Sequence, residues 1–166
     1  MEQSTVPAAA TLGRTTSRHP DETLELGRRM GAAAPPGTVL ALSGELGAGK
    51  TLLTKGVAAG LGVGSVVNSP TFILMNEHVG RLRLYHIDAY RIGDPEEASA
   101  AGLLDERQVD GVTVVEWADR LQGWLPSERL EMYLETPPDE PMHRILHWTA
   151  IGRTHEQLAA EALPAS

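Results

Sequence analysis

The chain has 166 residues, no cysteine, 14 basic and 22 acidic side chains, and a formal charge of -8. A domain of that length buries roughly 70% of the surface its unfolded chain exposes, so it needs no staple, and the lack of cysteine excludes disulfides and thiolate ligands. The charge balance argues against a general nucleic-acid or membrane-surface binder, both of which need a basic footprint.

Residues 1–10 include Ala8-Ala9-Ala10 but carry neither a basic leader nor an apolar core. They read as a disordered Pro/Ala tail rather than a cleaved signal, and a cytoplasmic protein is the expectation. Residues 11–18 suggest a short edge strand. Asp21-Glu22-Thr23 after Pro20 starts a helix, with acids at the positive end of its dipole. Leu26, Met30 and Ala33 give it one packing face, and Ala34-Pro35-Pro36-Gly37 stops it. Thr38-Val39-Leu40-Ala41-Leu42 has the continuous apolar character of a strand buried on both faces. It is also the strongest apolar run, far short of the ~20 residues a bilayer requires.

A glycine-rich segment, Gly44 to Gly49, follows, and a helix pattern begins at Lys50 and fades through Gly60, Gly62 and Gly64. Residues 71–75 and 81–87 flank a turn placed at Glu77 to Gly80, a β-hairpin pattern. Asp94-Pro95-Glu96-Glu97-Ala98 starts another helix. Val112 to Val115 is a short buried-type strand, and residues 130–134 and 145–151 are late strands separated by Thr136-Pro137-Pro138-Asp139. A last helix pattern runs from about His155 to Leu163. The expected organisation is one α/β domain over 11–158, with 159–166 as an Ala-rich tail.

Gly44-Glu45-Leu46-Gly47-Ala48-Gly49-Lys50-Thr51 matches G-x-x-x-x-G-K-[ST] in full. A strand that turns through such a loop into a helix aims successive backbone N–H groups at one point, and glycines let the main chain approach a phosphate. Lys50 would reach the β- and γ-phosphates and the Thr51 hydroxyl would ligate Mg²⁺. From this chain's own frequencies the pattern is expected by chance roughly 0.003 times. That figure is small because lysine is scarce: the chain has 12 Arg against two Lys, Lys50 and Lys55. The expected nucleotide-binding set is Gly44, Leu46, Gly47, Ala48, Gly49, Lys50, Thr51 and Leu52, with ATP and Mg²⁺ as ligands.

A phosphate loop also needs an acid at a neighbouring strand end, to hold Mg²⁺ or orient water. Glu116 follows residues 112–115 and Asp88 follows residues 82–87, and which of the two positions the water stays open at this level. With Lys50 they form the expected catalytic set, and Thr51 with Glu116 the expected metal pair. His86-x-Asp88 has too few ligands for a metal site of its own. Neither Asn68 nor Asn76 is followed by Lys, so the guanine-reading N-K-x-D motif is missing and adenine is expected.

Three further segments fall in order after the loop: Asn68-Ser69-Pro70-Thr71-Phe72, His86-Ile87-Asp88-Ala89-Tyr90-Arg91, and Glu116-Trp117. Over roughly residues 20 to 135 this combination closely resembles the TsaE (YjeE) family of small bacterial ATPases. The resemblance implies a P-loop NTPase fold: a single α/β domain whose mixed, partly antiparallel sheet is flanked by helices. It implies Mg²⁺-dependent ATP hydrolysis in support of TsaB and TsaD, which transfer the threonylcarbamoyl group made by TsaC onto adenosine 37 of tRNA. It also maps Thr51 and Glu116 to Mg²⁺, Asp88 to hydrolysis, and Ser69 to Phe72 to a switch-like loop. From the residues alone, Phe72 reads equally as a core plug or a switch contact, Trp117 as packing, and Tyr90-Arg91 as a solvated turn. Two other classes fit a phosphate loop: a small-molecule kinase, which usually carries a basic lid, and a non-catalytic ATP-sensing module. The arginines here form no lid-like cluster.

Overall fold

The computed structural model describes residues 9–64, 75–92, 109–121 and 123–165. In chain order the elements are β1 (Ala10–Ser17), α1 (Pro20–Ala33), β2 (Val39–Gly44), α2 (Lys50–Gly60), β3 (Met75–His78), β4 (Leu84–Asp88), β5 (Val112–Glu116), β6 (Arg129–Glu135), β7 (Arg144–Ile151) and α3 (Arg153–Ala162). A 3-10 turn over Ala118–Leu121 follows β5. The apolar runs of β2, β4 and β5 sit side by side in a seven-stranded sheet ordered β1-β7-β6-β2-β5-β4-β3. The four inner strands are parallel. β7 and β1 extend one side and β3 the other, all antiparallel. The mixed sheet implied by the family resemblance is therefore present.

Burial explains why β2 is apolar almost throughout. Leu40 and Leu42 face a core shared with α1, α2 and α3, whereas Ala41 faces a second, smaller core with Ile87, Val115, Ala118 and Leu121. A strand packed on both faces cannot alternate polar and apolar residues. Among the described residues no helix is long and apolar enough to cross a membrane.

The helices α1 and α2 approach unusually closely because each carries glycines four residues apart: Gly27 and Gly31, Gly56 and Gly60. A Cβ on Gly27 would lie 2.3 Å from the Leu53 carbonyl oxygen, and one on Gly56 would lie 2.2 Å from that of Leu24. Helix propensity alone would make Gly27→Ala stabilising by about 1 kcal/mol. Here the new methyl meets backbone, so the helices must separate. Gly27→Ala should destabilise the fold by roughly 1–3 kcal/mol, lowering Tm by about 2–12 °C for a chain of this size. Thermal denaturation followed by circular dichroism checks the sign.

Three expectations change. The hairpin turn lies at 79–83, not at Glu77 to Gly80, because Glu77 and His78 pair with Tyr85 and Leu84 within the β3–β4 ladder. They sit on an edge strand, where polar side chains reach solvent without breaking the ladder, so polarity gave a false turn signal. The Ala-rich segment from Ala159 is not a tail: α3 continues to Ala162, and Ala159, Ala162 and Leu163 are buried. Small side chains there let α3 lie close to α1. At the other end, Ala10 already belongs to β1, and the Ala9 carbonyl accepts the Gly152 N–H at 2.8 Å. The helix expected from Asp94, the first hairpin segment up to Leu74, and Ser69 to Phe72 lie outside the described residues.

Candidate active site

The site forms where β2 ends and α2 begins. Gly44, Gly47 and Gly49 all have positive φ (146°, 80° and 104°), a region that residues with a Cβ rarely enter. At Gly44 the close approach is steric as well: a Cβ would lie 2.7 Å from the Leu134 carbonyl oxygen on β6. Gly49 caps α2 without any side-chain hydrogen bond. Gly49 offers no side-chain acceptor to the start of the helix, whose first turn lies at the positive end of the helix dipole, where an anion is favoured. Leu46, Gly47, Ala48, Gly49, Lys50, Thr51 and Leu52 line a cleft of ≈ 480 Å³ that also takes in Asp88, Tyr90, Glu116, Trp117 and Arg144.

Lys50 is almost fully buried. Its Nζ donates to the Gly44 carbonyl at 2.6 Å and to the Glu45 carbonyl at 2.8 Å. The same ammonium lies 3.9 Å from the Trp117 ring centroid, a cation–π contact. Burial pushes its pKa down, opposed by the carboxylates of Glu116, Asp119 and Asp88. A cation held mainly by carbonyl dipoles in a partly desolvated place is poised to accept an anionic ligand.

Glu116 ends β5 and is 2% exposed. Its Oε1 accepts from the Thr51 hydroxyl at 2.7 Å, its Oε2 from His86 Nε2, and the Thr54 hydroxyl lies 3.5 Å from Oε2. Parallel pairing produces this grouping. Asp88 aligns with Glu116 and His86 with Val114, so the alternate residues His86, Asp88 and Glu116 share the sheet face beneath α2. The His86-x-Asp88 spacing thus serves Glu116: His86 braces the carboxylate instead of joining Asp88 around a metal. Among the described residues there is no cluster of three or more His, Asp or Glu side chains able to hold an ion by themselves. Two adjacent hard oxygens, Thr51 Oγ1 and Glu116 Oε1, suit Mg²⁺, which takes few protein ligands and completes its shell with phosphate and water.

Asp88 is half-buried at the end of β4. Its Oδ1 accepts the Tyr90 N–H at 2.9 Å. Burial pushes its pKa up; the Tyr90 N–H opposes this and the Glu116 carboxylate reinforces it. Tyr90 packs against Trp117 with the rings tilted by 50° and their centroids 4.8 Å apart, and the Arg120 guanidinium lies 5.0 Å from the Tyr90 ring centroid. Trp117 is the sole non-glycine residue with positive φ (58°) among the described residues, a strained state costing about 1–3 kcal/mol. The structure therefore makes Trp117 and Tyr90 walls of the cleft, where sequence reading suggested packing and a solvated turn.

One cleft residue escaped sequence reading altogether. Arg144, at the start of β7, donates from Nε to the Ala48 carbonyl at 2.8 Å and from Nη2 to the Gly47 carbonyl at 3.2 Å. These two loop partners are backbone atoms nearly a hundred residues away, which leave no trace in a side-chain pattern.

With the loop, the two strand-end acids and their spacing in place, the chain can be compared with known proteins. Residues 17–145 match the family model described as "Threonylcarbamoyl adenosine biosynthesis protein TsaE". The chain belongs to the TsaE family. It is 43% identical over 144 residues to the tRNA threonylcarbamoyladenosine biosynthesis protein TsaE of Bacillus subtilis, covering 86% of this chain and 89% of that one. The TsaE protein of Treponema pallidum is 37% identical over 126 residues, 76% of this chain and 93% of its own. Among solved structures, that of YdiB from Bacillus subtilis superposes with a TM-score of 0.74 at 36% identity, over 93% of this chain and 95% of that chain. The fold is that of the P-loop NTPases.

Proposed function

We propose that this TsaE-family chain is an ATPase that binds and hydrolyses ATP with Mg²⁺. Its turnover supports the TsaB–TsaD complex in forming N6-threonylcarbamoyladenosine at position 37 of tRNA, in the cytoplasm. The observation that carries the reading is the convergence of Lys50, Thr51, Asp88 and Glu116 on one uncapped helix N-terminus, in a chain whose relatives are named for that pathway. The charge of -8 suits a protein that reaches tRNA through protein partners rather than by its own grip on RNA.

The division of labour follows from what each group already holds. The loop amides and Lys50 bind the phosphates, Lys50 exchanging its two carbonyl acceptors for phosphate oxygens. Thr51 and Glu116 would hold Mg²⁺, which when bound would supply neutralisation of phosphate charge. Glu116 is committed to Thr51 and His86, whereas Asp88 accepts only the Tyr90 N–H among the described residues. Asp88 is thus the group free to orient the attacking water, and its raised pKa makes it a better proton acceptor than an ordinary carboxylate.

Asp88→Asn should therefore lower kcat by roughly 10²–10⁴-fold while the ATP dissociation constant moves less than about threefold. In the unsubstituted protein activity requires the ionised carboxylate, and burial raises its pKa. The acid limb of the kcat/KM profile, which reports the free enzyme, should consequently be displaced upward from the ordinary carboxylate range, and the residual activity of Asp88→Asn should lack that limb. Steady-state phosphate release across pH measures both.

The function itself is tested by complementation. Cells depleted of their own TsaE are supplied with this chain, and their tRNA is analysed for the threonylcarbamoyl group by mass spectrometry. Restored modification is expected; unmodified tRNA despite normal expression would refute the assignment.

A further inference from the structure

We infer that Arg144 is a positioning residue that sets the orientation of the phosphate-loop peptide planes and leaves a cationic charge beside them. The inference rests on the nucleotide-binding reading above and extends it to a residue outside the loop and outside its motif. The guanidinium donates to four carbonyls. Two belong to the loop, Ala48 at 2.8 Å and Gly47 at 3.2 Å. Two belong to the turn that leads into β7, Pro141 at 2.7 Å and His143 at 2.6 Å. The planar fork thereby ties the loop to the antiparallel half of the sheet, where β7 pairs with β6 and the Leu134 carbonyl of β6 limits the space at Gly44.

The loop needs such a tie. Gly47 and Gly49 tolerate many backbone conformations, and packing does not restrict them: a Cβ on Gly47 would meet nothing within 4 Å, and one on Gly49 nothing nearer than 3.8 Å. The peptide unit is planar and trans, so its C=O and N–H point in opposite directions. Drawing the Ala48 carbonyl onto Arg144 therefore turns the Gly49 N–H away from the guanidinium, and drawing the Gly47 carbonyl does the same for the Ala48 N–H. The Ala48 N–H is also held by the Glu45 carbonyl, so it is the Ala48–Gly49 plane that, without that tie, can flip and present an oxygen to an incoming phosphate, which repels it. Charge reinforces geometry. Among the described residues no carboxylate pairs with Arg144, so its full positive charge stays at the edge of the cleft.

The test compares wild type, Arg144→Ala and Arg144→Lys in three measurements: Mg²⁺-free ATP affinity by calorimetry, Tm, and amide hydrogen exchange at Ala48. The Ala48 N–H is bonded to the Glu45 carbonyl at 3.0 Å and shares a peptide plane with the Gly47 carbonyl. It reports that plane whether or not nucleotide is present. Loss of two charge-assisted bonds should weaken ATP binding of Arg144→Ala by about tenfold or more. Ala48 exchange should rise at least about fivefold while the amides inside β2 and α2 keep their protection. Lysine keeps the charge but not the fork, so Arg144→Lys should recover part of the affinity and little of the protection.

Wild-type protection at Ala48 in either variant would overturn the inference, as would unchanged ATP affinity in both. If Arg144→Ala does not fold, Arg144→Lys decides on the same two readouts. Failure of wild type to bind ATP would instead strike the nucleotide reading, and Ala48 exchange would still judge the positioning role.

Discussion

Replacing Lys50 by alanine should weaken ATP binding by about 100-fold or more, because each charge-assisted bond to phosphate is worth about 1.5–3 kcal/mol. The fold should survive the change. Burial of the ammonium is a cost, visible in its lowered pKa, and its removal relieves that cost while stranding two carbonyls of the loop. These effects oppose each other, so Tm without nucleotide should move by only a few degrees. What should vanish is the rise in Tm on adding ATP, since a ligand stabilises only the state that binds it. Arginine should not rescue the variant: its planar fork cannot enter the space between the loop carbonyls and the Trp117 ring, 3.9 Å from Nζ. A Lys50→Ala protein with wild-type ATP affinity would remove the basis of the functional reading.

Glu116→Gln is the second large effect, with a different signature. The amide keeps the size of the carboxylate but supplies one acceptor in place of two. Thr51, Thr54 and His86 all approach Glu116 as donors or possible donors, so an NH₂ group must face at least one of them. The loss of the negative charge should lower Mg²⁺-dependent turnover by about 10²–10³-fold, the scale seen when a preorganised electrostatic group is removed. Mg²⁺-free ATP binding should stay within about threefold of wild type, because the proposed phosphate ligands are the loop amides and Lys50. Glu116→Ala should add a fold defect of roughly 1–3 kcal/mol by leaving the buried His86 Nε2 without an acceptor. Turnover measured against Mg²⁺ concentration, alongside Tm for both variants, separates the metal role from the packing role.

What could be read from the sequence divides along a physical line. The phosphate loop was legible because its chemistry lies in consecutive residues: an apolar strand, glycines needed for positive φ, then Lys50 and Thr51 on a helix. Glu116 and Asp88 were legible as acids because each closes an apolar run, and they prove to be the last residues of β5 and β4, parallel neighbours in register. What the sequence hid depends on distance or on backbone atoms. His86 reaches Glu116 only through strand pairing. Arg144 reaches the loop only because β7 folds back beside β6. Gly60 looked like a fading helix signal, since a glycine that admits a neighbouring backbone cannot be told from a breaker without its partner. The segment from Ala159 looked like a tail for a related reason: small side chains carry little hydrophobic signal but pack closely once α1 is alongside.

The central claim is that these side chains form an ATP–Mg²⁺ site. Isothermal titration of the full chain with ATP, with and without Mg²⁺, and in parallel with Lys50→Ala, tests it most directly. Saturable binding at one site per chain is expected in the wild type, and its loss in the variant. Absence of binding in a folded wild-type protein, or equal binding in both proteins, would contradict it.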